Sequence, residues 1–142
     1  MSFLLDTNVV SEWVKPRPDP GVVQWLAEVD EDRAFLSVVT LAEIRRGIER
    51  LPHGHRRRRL EDWLLVELPL RFEGRVLPID RAIADRWGLV VARSEAAGRP
   101  IGVIDAFLAA TAIVQDLMLV TRNQDDFIGA VDETINPWSP AQ

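Results

Sequence analysis

Cysteine is absent from the chain, so neither a disulfide framework nor a thiol nucleophile is available, and a reducing compartment suits it. Long apolar runs are missing too. Nothing approaches the ~18 residues that a membrane span requires, and the N-terminal MSFLLD lacks the basic stretch and apolar core of an export signal. The expectation is a soluble, unexported, cytoplasmic protein with no membrane partner. Lysine is nearly wanting, since of 17 basic residues only Lys15 is a lysine. Acids outnumber bases, and the net charge of -5 argues against bulk attraction to nucleic acid while leaving room for a local basic surface. There is no repeat and no low-complexity linker. At 142 residues the chain is expected to be one domain, residues 1–142, large enough to bury roughly two thirds of its unfolded surface without a disulfide or structural zinc.

What is present is an alternation of short apolar runs with longer segments of helical period, the pattern of an α/β domain with a mainly parallel central sheet flanked by helices. Strands are expected at Phe3 to Leu5, Ala34 to Ser37, Val76 to Ile79 and Met118 to Thr121, with a short edge strand at Thr134 to Asn136. Thr40-Leu41-Ala42-Glu43 has the form of a capping box and predicts a helix from about Leu41 to Arg50. A longer helix should run from Arg81 to Ala97, stopped by Gly98 and Pro100. Asp105 is expected to open another, with Leu108, Ala109, Ala112 and Ile113 on one closely packed face. The PRPDPG stretch from Pro16 to Gly21 and the segment around Leu51 to His55 read as turns.

Four acids stand where apolar elements begin or end: Asp6 in FLLDTN, Glu43 in TLAEIRRG, Asp105 in GVIDAFLAAT and Asp126 in LVTRNQDDF. A desolvated carboxylate is expensive unless it is paired or binds a cation. Each has a bland reading beside the functional one. Asp6 could cap the helix beginning near Val9, Glu43 could be the acid of its capping box, and Asp105 could be a first-turn acid favoured by the helix dipole. Asp126 could belong to a polar turn, and Asp125 is its alternative. Taken together the four suggest more, because a parallel sheet would gather most of them on one edge. Crowded there, they could not all stay ionised without a cation. Oxygen-only ligation selects Mg²⁺ or Mn²⁺ over zinc, and such ions do phosphoryl chemistry.

Other polar features weigh less. His53 and His55 form an HxH pair in a Pro/Gly-flanked segment and are not read as a zinc site. The run Arg56 to Arg59 reads as a solvated helix surface. Arg46 and Arg50 share the helical face of Glu43 at i+3 and i+7, which makes Arg46 a candidate for a phosphate contact. Trp25, Trp63 and Trp87 lie in helical segments and read as core or interface; Trp13 and Trp138 remain open.

These motifs resemble the PIN-domain ribonucleases, specifically VapC-type toxins of the FitB-like group. The resemblance rests on LLDTNVVSE, SVVTLAEIRRGI, IGVIDAFLAATA, LVTRNQDDF and INPW, in that order along nearly the whole chain. It implies a three-layer α/β sandwich and an acid quartet of Asp6, Glu43, Asp105 and Asp126 that binds Mg²⁺ or Mn²⁺. Thr7, Asn8, Thr121 and Asn123 match the polar positions around that quartet. The implied activity is metal-dependent endonucleolytic cleavage of RNA by one metal or two, leaving 5′-phosphate and 3′-hydroxyl ends. A cognate VapB-type antitoxin, homodimerisation, and operator DNA bound only through the antitoxin are implied as partners.

The competing readings are a non-catalytic, metal-stabilised binding module or corepressor, a structure-specific DNA nuclease, and a phosphoryl-aspartate protein. Asn8 stands where a haloacid-dehalogenase phosphatase needs a second Asp, and no Lys follows the last main strand as a receiver domain requires.

Overall fold

The computed structural model of the protein describes residues 1–140. Five strands, β1 (Phe3–Leu5), β2 (Ala34–Ser37), β3 (Val76–Leu77), β4 (Met118–Val120) and β5 (Thr134–Ile135), form one sheet in the order β3-β2-β1-β4-β5. Every pairing is parallel. All five lie where the apolar runs predict them, although β3 stops short of Ile79 and β4 ends one residue before Thr121. The chain steps outward from β1 through β2 to β3, then returns to add β4 and β5 on the other side. The switch point therefore falls at β1, and the carboxyl edge beside it is where open parallel sheets bind ligands.

The helices are α1 (Thr7–Val10), α2 (Pro20–Glu28), α3 (Val38–Glu49), α4 (His55–Asp62), α5 (Leu68–Arg71), α6 (Arg81–Ala96) and α7 (Val103–Gln115). A π-helical turn, Trp63–Glu67, joins α4 to α5. Successive strand residues point to opposite faces of the sheet. Leu5 and Val120 join one buried cluster with Val9, Ile44, Trp63 and Phe72, whereas Leu4 and Leu119 join the other with Val90, Leu108, Ala109 and Phe127. Two cores on the two faces of one sheet make the three-layer sandwich.

Three expectations need correction. The helix after β2 does not start at a Thr40 cap. Ser37 is the N-cap, its side chain accepting from the Val39 N–H at 3.1 Å, and Thr40 is buried inside the helix. Similarly, α7 starts at Val103 after Gly102, which places Asp105 within its first turn, and Ile113 is exposed rather than on the packed face. Pro20 and Gly21 are not turn residues but open α2, where Pro tolerates the first helical position. Asp19 caps that helix through the Gly21 and Val22 N–H groups and also accepts from the Ser139 N–H at 2.9 Å. The C-terminal segment thus lies so close over α2 that a Cβ at Gly21 would meet Pro137 O at 2.5 Å.

The tryptophans divide by environment. Trp63 is buried, Trp25 packs edge-on against Phe3, and Trp87 stacks on Phe107 while its indole N–H donates to Val103 O at 3.1 Å. Arg71 lies over the Trp13 ring and Arg122 over that of Trp138.

Candidate functional site

Asp6 is the first residue after β1. Its extended backbone, φ -68° and ψ 158°, makes it the N-cap of α1, with Oδ1 accepting from the Thr7 N–H at 2.7 Å. Oδ2 accepts from the Thr121 hydroxyl at 2.8 Å, a bond that ties the end of β1 to the end of β4. Asp6 does cap a helix, yet capping does not exhaust its chemistry. The side chain is buried, and burial pushes its carboxyl above the usual 3.8; the two hydrogen bonds offset this in part, and the charges of Glu43 and Asp126 add to it.

Glu43 is freed from the local role its sequence suggests. With Ser37 as N-cap, the capping-box position falls on Thr40, and Glu43 lies nearly a turn further along α3. Its Oε1 instead accepts from the Thr7 hydroxyl at 2.5 Å. Thr7 thereby engages both acids at once, its N–H on Asp6 and its hydroxyl on Glu43.

Asp105 sits in the first turn of α7, where the helix dipole favours its charge, and accepts no hydrogen bond among the described residues. Burial, and then the charges of Asp6, Asp126 and Glu43, push its carboxyl up to about 6. Asp126 is exposed on the 3-10 turn Gln124–Phe127, and its backbone N–H donates to Asn123 O at 3.1 Å. Asp125 and Asp126 both line the cleft that contains Asp105. Of these two neighbours, Asp126 is the one whose charge is felt by both Asp6 and Asp105.

The surrounding polar residues act mainly by holding loops. The Thr121 hydroxyl donates to Asp6 and accepts from the Asn123 N–H at 3.0 Å, so the backbone of Asn123, not its exposed side chain, takes part. Asn8 Oδ1 accepts from the Arg122 N–H at 3.4 Å and fastens the same loop. Arg46 is exposed in the last turn of α3 and makes no ion pair among the described residues. Arg57 of the basic run is engaged by Glu49 and Glu61. His55 is exposed and contacts Arg58 rather than an acid. One residue that no motif singles out, Arg99, lines the same cleft as Asp105 and Asp126. It stands alone in sequence, and its place becomes visible only once α6 and α7 are packed side by side.

Among the described residues no group of three or more acids or histidines is drawn together tightly enough to hold a metal by side chains alone. The donor set nevertheless fits a hard divalent cation. It is all oxygen, neighbouring acids push the Asp6 and Asp105 carboxyls up, and Asp105 accepts no hydrogen bond among the described residues. Mg²⁺ retains several waters and needs only one or two direct carboxylates, so an open arrangement suits it.

A family model for the PIN domain matches residues 3–132, a span that contains all four acids. The chain belongs to the PIN-domain family. Similar proteins include the VapC ribonuclease Y4jK of Sinorhizobium fredii, 37% identical over 98% of this chain and 99% of that protein. The toxin FitB of Neisseria gonorrhoeae is 35% identical over 96% of this chain and 98% of its own. Among solved structures, that of FitAB bound to an IR36 DNA fragment matches this PIN domain with a TM-score of 0.90 at 32% identity, covering 99% of this chain and 98% of that one. The kinship to VapC and FitB toxins implied by the motifs is thus met along nearly the full chain. Among the described residues no helix of the PIN domain is long and apolar enough to cross a membrane.

Proposed function

We propose that this PIN domain is a Mg²⁺- or Mn²⁺-dependent endoribonuclease, the toxin of a VapBC-type toxin–antitoxin pair acting in the cytoplasm. The observation that carries the reading is the gathering of Asp6, Glu43, Asp105 and Asp126 at the carboxyl edge of the sheet, where the charges of Glu43 and Asp126 bear on both Asp6 and Asp105, in a chain whose relatives are named as ribonuclease and toxin. These four hold the cation and are the catalytic acids. When bound, the ion supplies a polarised phosphate and a more acidic attacking water. The chain's own work is positioning. Thr121 and Thr7 fix the Asp6 carboxylate from both sides, and Thr7 turns Glu43 toward it. Asn8 and Asn123 hold the loop after β4 that carries Asp126. Arg46, exposed on the helix of Glu43, contacts an RNA phosphate.

An acidic cleft also explains restraint. An arginine from a cognate VapB-type antitoxin pairs with these carboxylates and excludes metal and substrate. Homodimerisation, and operator DNA contacted through the antitoxin rather than through this acidic chain, complete the reading. The solved FitAB complex is bound to a DNA fragment, which accords with DNA binding by such a pair.

The test is cleavage of total cellular RNA by antitoxin-free protein in Mg²⁺ or Mn²⁺ against EDTA, with Asp6→Asn as control and matched DNA alongside. Metal-dependent cuts in RNA that the variant does not make are expected. Equal inertness of both proteins on RNA, or a preference for DNA, overturns the proposal.

A further inference from the structure

Beside the acids, α6 and the turn after it assemble side chains that the acid chemistry does not use. Arg86, Val90 and Arg93 recur at i, i+4 and i+7 on one face of α6, and its C-cap Ala97 follows at i+11. With Arg99 and Ile101 they line a cavity of about 130 Å³ whose wall also includes Asp126. Arg99, Ile101 and Asp126 belong equally to the open cleft of Asp105, so the two depressions adjoin.

The backbone of Arg99 is held in place there. Its N–H donates to Ser94 O at 2.9 Å, the Ile101 N–H donates to Ser94 Oγ at 3.3 Å, and Gly98 makes the intervening turn at φ 73°. None of Arg86, Arg93 and Arg99 is ion-paired among the described residues, whereas Arg45 and Arg57 of the denser basic stretch are engaged by Glu49 and Glu61.

A polyanion is repelled by a cleft of carboxylates and stays there only if positive charge flanks it. Arginine forks match phosphate oxygens, and apolar walls such as those of Ile101 and the exposed Ile128, which lines the same cavity, accept the face of a sugar or base. We propose that Arg86, Arg93 and Arg99 form a subsite for the single-stranded RNA backbone next to the cut phosphodiester, on the Asp126 side of the acids. This rests on the nuclease reading above.

The experiment measures binding of fluorescein-labelled oligouridylate by anisotropy across a salt series. The proteins are Asp6→Asn and the same variant carrying Arg86→Ala, Arg93→Ala and Arg99→Ala. Each arginine–phosphate pairing on a single strand adds about 0.7 to the slope of log affinity against log salt, so the triple change should lower that slope by about 2 and weaken low-salt binding at least tenfold. The corresponding triple lysine variant keeps the slope, because it keeps the charge. Arg45→Ala changes neither slope nor affinity, and in a chain that keeps Asp6 the three alanine changes leave Mn²⁺ affinity as it was. If the parent binds oligouridylate and the triple alanine variant binds it with the same slope and affinity, the subsite is wrong and the nuclease reading survives. Should the lysine variant lose as much slope as the alanine one, the loss is structural and the subsite is again wrong. If wild type cuts no cellular RNA and the parent binds no oligouridylate, the nuclease reading fails and takes the subsite with it.

Discussion

Replacing Asp105 by asparagine should stabilise the metal-free protein and remove its response to metal. The Asp105 carboxyl is pushed from 3.8 up to about 6 by burial and by three neighbouring acids. The folded chain therefore holds this proton more tightly than the unfolded chain, so stability is highest below 3.8 and falls as the pH rises through about 6. At neutral pH the whole penalty is present. Fully converted, a shift of two units is about 3 kcal/mol. Because the side chain is only half-buried, screening by solvent reduces this to about 1 kcal/mol. Asparagine keeps the shape and removes the charge, so in EDTA the variant should melt about 3 °C above wild type. Mn²⁺ should raise the wild-type melting temperature and leave that of the variant nearly unchanged. Thermal unfolding followed by circular dichroism, with and without Mn²⁺, at neutral pH and near pH ~4, where the gap should close, measures all of this. A variant less stable than wild type in EDTA at neutral pH would refute the electrostatic reasoning, as would a gap of the same size at both pH values.

Thr121→Val deletes the hydroxyl donated to the buried Asp6 carboxylate, and should cost about 1–3 kcal/mol of stability and about 10–100-fold in Mn²⁺ affinity by calorimetry. Unchanged metal affinity would show that Thr121 does not position the acid. Asp126→Asn should lower RNA cleavage at least about tenfold while Asp125→Asn leaves it within about twofold; the reverse order would reassign the fourth acid. Gly21→Ala places a Cβ against two backbone atoms, Pro137 O at 2.5 Å and Ser139 N at 2.7 Å, and should destabilise by about 1–3 kcal/mol in urea unfolding. An unaltered midpoint would mean that the C-terminal segment lifts off α2 at no cost.

Much of the architecture was legible because buried parallel strands are short apolar runs with little else to be. Phe3 to Leu5, Ala34 to Ser37 and Met118 to Val120 could hardly pack otherwise. Helix starts were less legible, since two capping sequences compete at the end of β2. Thr40 with Glu43 satisfies the local pattern, but Ser37 wins because the chain must turn back onto the sheet as soon as β2 ends. That outcome is set by tertiary packing, which local spacing does not encode. The acids stand out by their apolar settings, whereas nothing in the sequence separates Asp125 from Asp126, which share one exposed 3-10 turn. The α6 arginines are inconspicuous in sequence because no two are adjacent. Their seven-residue interval from Arg86 to Arg93 was the available signal, and Arg99 has none until Ser94 fastens it in the fold.

The placement of β1 has a temporal consequence. It is the first strand of the domain to leave the ribosome, yet it lies at the centre of the sheet, and its acid is hydrogen-bonded to a threonine 115 residues later. Contacts of such sequence separation form late in folding. During translation Asp6 waits beside an absent neighbour until Thr121 and Asp126 have both emerged. A nascent chain, or one whose synthesis is cut short before them, carries most of the acids but no cleft. A cell making this nuclease is thus exposed to it only once nearly all of the PIN domain has been translated, and a partner made alongside it has that interval in which to arrive.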